Sequence, residues 1–206
     1  MRGYFGKTLA VASLAALLVV AGCTTRVARV APDSTIDLSG RWNDVDSRLV
    51  AEEMIKDCLG QRWLYKWESI NKRPTVIIGK VKNQSHEHIN TQTFTKDLEL
   101  ALLNSGKVDF VANKSEREDI RDEKEDQAEN ASAKTAKSRH EEIGADLMLI
   151  GSLNTIVDQE GNRSVLYYQT NMELIDVETH QKVWIGEKKI KKYVERAATS
   201  FKHRNR

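Results

Sequence analysis

The last third of the chain constrains the fold most. Three runs rich in apolar and β-branched residues, 146–153, 164–176 and 183–194, are separated by two short polar stretches, 158–162 and 177–182. Glycine, asparagine and aspartate in such stretches supply turns between strands. The pattern predicts an antiparallel meander that closes a sheet. The middle of the chain follows a different period. Val50, Met54 and Cys58 form one four-residue row, with Ala51, Ile55 and Leu59 beside it, which predicts a helix capped by Asp44 or Ser47 and stopped by Gly60. Trp63, Leu64 and Trp67 follow and are expected to pack under that helix.

A short β-branched run at 75–81 then reads as a strand covered on both faces. Asn90 offers a cap for a helix whose Phe94, Leu98, Ala101 and Leu102 share a face, ending at Asn104-Ser105-Gly106, and 108–112 reads as another strand. Residues 115–126 are almost all charged. Glu118 and Glu125 lie three before and four after Arg121, which favours a solvated helix over disorder. Ser132 is placed to cap one more helix, ending near Gly144. Helices on an early β region followed by a meander give an α/β (α+β) fold with a mixed sheet packed with helices.

The N-terminus sets the expected compartment. Arg2 and Lys7 precede a charge-free run from Thr8 to Thr25, a basic start and short apolar segment of the secretory kind. "VAGC", Val20 to Cys23, resembles the bacterial lipobox, which implies cleavage before Cys23 and acylation of that cysteine, palmitate included. Residues 1–22 are then a signal peptide, 23–35 the lipidated cysteine and a short tether, 36–195 one globular domain, and 196–206 a basic tail. Several acyl chains, at ~0.8 kcal/mol per buried methylene, hold a protein to a bilayer almost permanently. Thr24 rather than Asp after the cysteine points to the outer membrane, with the domain facing the periplasm. The tether spans at most ~40 Å.

Without the leader, 30 basic residues face 30 acidic ones, which argues against nucleic acid as the main partner. Cys58 would be the remaining thiol, expected in the core rather than in an intermolecular bridge. No glycine loop, nucleophile elbow or Cys-His pairing suggests an enzyme. His86 and His88 in "HEH" are the best metal candidates but lack an obvious third ligand, so a turn into a helix is preferred and no cofactor or metal is expected. "KKIKK", 188–192, reads as an edge strand guarded by charge, or as a patch for an acidic protein or anionic polymer. Lys188, Ile190 and Lys192 would face one side and Lys189, Lys191 and Tyr193 the other. Trp42, among turn-forming residues, is either a lid on the domain or a contact for a partner, the lid being favoured.

Three stretches, "DLSGRWNDVDSRLVAEEMI", "VKNQSHEHINTQTFTKDLELALLNSGK" and "GADLMLIGSL…ELIDVETHQKVWIGE", together resemble the LpoB-type lipoprotein activators of penicillin-binding proteins. The resemblance implies a domain similar to the N-terminal domain of the Tol-system periplasmic protein. It also implies a non-catalytic, monomeric outer-membrane protein that binds a bifunctional peptidoglycan synthase and regulates cell-wall synthesis and cell shape. Arg41, Trp42, Lys189 and Lys191 are the expected partner-binding residues. Asn90 stands where the family often has Asp, and His180 where many relatives have Gly, so the last hairpin is expected to differ. The alternative is a structural subunit of an envelope or secretion assembly similar to the curli-secretion lipoproteins.

Overall fold

The computed structural model describes residues 26–197. The signal-peptide and Cys23 expectations, and most of the tail, lie outside the described residues. Residues 26–34 form no helix or strand; Ser34 turns back on Ala31, its amide and hydroxyl both donating to that carbonyl at 3.0 and 2.6 Å. From Thr35 onward the chain is a separate unit.

That unit is built on one five-stranded sheet in the order β2-β1-β3-β4-β5. The strands are β1 (Thr75–Gln84), β2 (Asp109–Phe110), β3 (Leu147–Glu160), β4 (Arg163–Asp176) and β5 (Lys182–Glu195). β1 pairs in parallel with β2 and β3, while β3, β4 and β5 are antiparallel neighbours. The sheet is therefore mixed and ends in the expected meander. β3 runs seven residues past the expected end, so the first hairpin turn is only Gly161-Asn162, with Gly161 at φ 57°. Glycine at the first of two loop positions is the composition type II′ hairpins favour. β1 continues past a register shift between Ile78 and Val81. β2 is shorter than expected, two residues only.

Two helices supply most of one wall of the core. α1 (Asp44–Leu59) buries Val50, Ala51, Met54, Ile55 and Cys58, and α3 (Thr91–Asn104) buries Phe94, Leu98 and Leu102. They pack on β1 and β5 over Val76, Ile78, Leu147, Leu149, Met172, Leu174 and Trp184. Between them the short α2 (Trp63–Glu68) buries Leu64, and the Trp63 indole N–H donates to the Cys58 carbonyl at 2.7 Å. Cys58 is a free thiol in the core; burial and the neighbouring Asp57 charge push its pKa up to about 12.

Two expectations need correction. α1 is capped by Asn43, whose side chain accepts from the Asp46 amide at 3.1 Å while Asp46 accepts from the Asn43 amide at 3.0 Å. This reciprocal box satisfies two orphan donors at once; Ser47 lies inside the helix and Asp44 begins it. The charged run does form a helix, α4 (Lys114–Asn130), which buries none of its residues. Residues 132–144, however, form turns and loop instead of a helix. Ile143, the strongest apolar side chain there, is 72% exposed, and a short helix with nothing to bury does not hold in water. Gly144 is therefore a loop residue.

Candidate functional site: the latch at the start of the domain

The lead-in to α1 is tied down across the end of the sheet. Tyr168, on the helix-facing side of β4, is fully buried, and its hydroxyl donates to Glu87 Oε1 at 2.6 Å, with the Gly40 carbonyl at 3.1 Å. Glu87 Oε2 in turn accepts from the Trp42 amide at 3.1 Å. Burial first, and the Glu87 carboxylate second, push the Tyr168 hydroxyl well above the ordinary tyrosine range. Trp42 is wedged edge-on between Phe94 and Tyr168, with ring centroids 6.2 and 5.6 Å away, and its indole N–H donates to Ser47 Oγ at 2.8 Å. The lid reading of Trp42 is what the geometry shows. Gly40 passes so close to Val194 and Leu166 that a Cβ there would collide with both side chains.

A second clamp comes from β5. Lys192 Nζ reaches Asp46 Oδ2 at 2.6 Å, Asp37 Oδ1 at 2.8 Å and the Arg41 carbonyl at 3.3 Å. Asp46 is buried, and the Lys192 side chain is 13% exposed. Burial works against the ammonium, but the two carboxylates outweigh it and hold the Lys192 pKa above the usual lysine value. The same contact lowers Asp37. Lys188 pairs with Glu53 of α1. β5 is thus the edge strand the sequence suggested, with the expected facing, yet its inner lysines are ion-pair partners of the lead-in and α1 rather than free guards.

Beside the latch lies an open depression of ≈ 600 Å³, lined among others by Arg41, Trp42, Asp44, Glu87, His88 and Asn90. His86 also lines it, an exposed residue whose amide and ring Nδ1 are both 3.0 Å from Thr155 Oγ1. Among the described residues no three His, Cys, Asp or Glu side chains gather as a metal site. The Glu87 carboxylate holds both Tyr168 and Trp42.

Family comparison identifies that scaffold. The family model for the peptidoglycan-synthase activator LpoB matches residues 46–190. The chain belongs to the LpoB family. Among solved structures, the LpoB C-terminal domain from Escherichia coli shares 19% identity with a TM-score of 0.44, over 70% of this chain and 98% of that one. The LpoB C-terminal domain from Salmonella enterica gives 18% and 0.42 over the same shares. An NMR structure of E. coli LpoB gives 16% and 0.41, covering 85% of this chain and 86% of that one. No curated protein matches the chain in sequence.

The four expected contact residues do not form one patch. Arg41 is exposed at the rim of the depression, above a mostly buried Trp42. Lys189 and Lys191 stand exposed on the opposite face of β5. Glu87 and Tyr168, which organise the latch, escaped the sequence reading. The only signal for them was a lone acid inside "HEH" and a tyrosine on the inward phase of β4. The last hairpin does carry an adaptation: His180 takes a left-handed φ of 61°, the conformation glycine adopts freely.

Proposed function

We propose that this chain is a non-catalytic outer-membrane lipoprotein that binds and activates a bifunctional peptidoglycan synthase, a penicillin-binding protein. The match to the synthase-activator family across residues 46–190 carries this reading. In it, residues 1–22 are removed, Cys23 is acylated, 23–35 form the tether, and the domain from 36 to 195 faces the periplasm as a monomer.

Arg41 and Trp42 on one side, with Lys189 and Lys191 on the other, flank the same edge strand, so a partner that touches all four must clasp β5. The latch supports this role by fixing the lead-in that presents Arg41. The test is capture: the full-length chain, immobilised in detergent, is exposed to solubilised membranes of the source bacterium, and bound proteins are labelled with a fluorescent penicillin. A labelled high-mass band that weakens with Arg41→Glu and with the pair Lys189→Glu and Lys191→Glu is expected. A blank at gentle salt contradicts the reading.

A further inference from the structure

The face of the sheet turned away from α1 and α3 carries a pattern of which the activator reading uses only Lys189 and Lys191. Its register aligns Gln84, Asn154, Gln169 and Lys189 in one row across β1, β3, β4 and β5. The adjacent row is Lys82, Ser152, Asn171 and Glu187. Five neutral hydrogen-bonding side chains therefore fill the middle of this face, spanning about 10 Å at the usual ~4.8 Å strand spacing. Asparagine is a poor strand former, which makes its repetition in central strands costly for the fold. The side chains are held in place: Gln169 Nε2 donates to Asn171 Oδ1 at 3.1 Å, and Asn154 Nδ2 donates to Ser152 Oγ at 3.3 Å. The flanking rows are mixed, Ile156, Tyr167 and Lys191 on one side and Ile150, Glu173 and Ile185 on the other, with Glu173 paired to Lys182.

We propose that this face binds an extended glycan strand of N-acetylated, carboxylate-bearing sugars. Protein interfaces place apolar residues at the centre and polar ones at the rim; here the order is reversed. Covering five amide and hydroxyl groups with apolar surface leaves them unpaired, at a cost, so the fitting ligand is one dense in hydroxyls and amides. Sugar rings also present C–H faces to Tyr167 and Ile156. Charge selects within that class. Lys82 bounds one end of the block and Lys189 and Lys191 the other, while Glu187 is engaged by Lys189. The excess of positive charge around a neutral centre matches a polymer that carries carboxylates at intervals.

This inference stands apart from the activator reading, because glycan binding is measured with no synthase present. The full-length protein in detergent is sedimented with purified peptidoglycan and, as an uncharged probe, with chitin. Saturable co-sedimentation with peptidoglycan, and weaker binding to chitin, is expected. The double variant Gln169→Ala and Asn171→Ala should bind both about tenfold more weakly with an unchanged unfolding midpoint. Lys191→Ala should weaken only the peptidoglycan arm. No sedimentation, or full binding by the amide variant, overturns the proposal. So does binding that vanishes in salt and responds to the lysines alone, or a dimer on sizing that the amide substitutions dissolve, which would make this face a contact between copies.

Discussion

α1 and α4 begin alike and are held by different forces. Both start at an asparagine with a reciprocal capping box, Asn43 with Asp46 and Asn113 with Glu116, and they are 16 and 17 residues long. α1 then buries eight residues, two of them polar, against α3 and the sheet, whereas α4 buries none. What α4 has instead is ion pairs: Lys96 to Glu116 at 2.7 Å, Arg121 to Glu142 at 2.7 and 2.8 Å, and a longer Lys114–Glu118 contact at 3.9 Å. A cap decides where a helix starts; burial decides how firmly it stays.

Substitution should separate the two helices most sharply in their apolar residues. Met54→Ala removes a core side chain from α1 and should cost about 2–5 kcal/mol in urea unfolding. Ile120→Ala in α4, where the side chain is 48% exposed, should leave the midpoint within about 0.5 kcal/mol. The ion pairs should divide the same way. Lys192→Met strips the buried Asp46 of its counter-charge, and about 3 kcal/mol is the expected loss. Arg121→Ala breaks a solvent-bathed pair; its effect on global unfolding should be too small to resolve and should fade further with added salt.

Titration sharpens the contrast at the latch. Lys192 and Tyr168 both have raised values in the folded state. Their stabilisation is complete below the unfolded values, ~10.4 and ~10, and is lost as pH rises beyond them. Asp37 is lowered, so its contribution is present above the ordinary carboxylate range and lost as pH falls through its folded value. Thermal scans should therefore show a decline above about pH 10 that Tyr168→Phe makes shallower. Arg121→Ala should leave that alkaline slope unchanged. One effect of the opposite sign belongs to neither helix. His180→Gly relieves the left-handed backbone in the last hairpin and should raise stability by about 1 kcal/mol.

Elements with a strong apolar period were legible in the sequence. Val50, Met54 and Cys58 gave α1, Phe94, Leu98 and Leu102 gave α3, and the meander followed from its turns. The far half of β3 was hidden because Asp158, Gln159 and Glu160 read as turn, although they pair in register with Val165, Ser164 and Arg163. The loop at 132–144 misled because a serine and helix-favouring residues are weak evidence without a stripe to bury. The latch was half legible. Trp42 stood out by its setting, but its partners Glu87 and Tyr168 are separated by 81 residues, and only the folded sheet brings them together. Lys192 was read as one of four lysines on the strand; that it is the counter-ion for Asp46 and Asp37 depends on the crossing of α1 over β5.

In the function proposed above, this domain activates a synthase without chemistry of its own. The most direct measurement is the rate at which a purified bifunctional synthase consumes its lipid-linked precursor, with and without the full-length chain. A saturable rise in rate is expected, absent when the chain is added alone, and diminished by Arg41→Glu and by the Lys189→Glu, Lys191→Glu pair. An unchanged rate at saturating chain, or precursor consumption by the chain without the synthase, would contradict it.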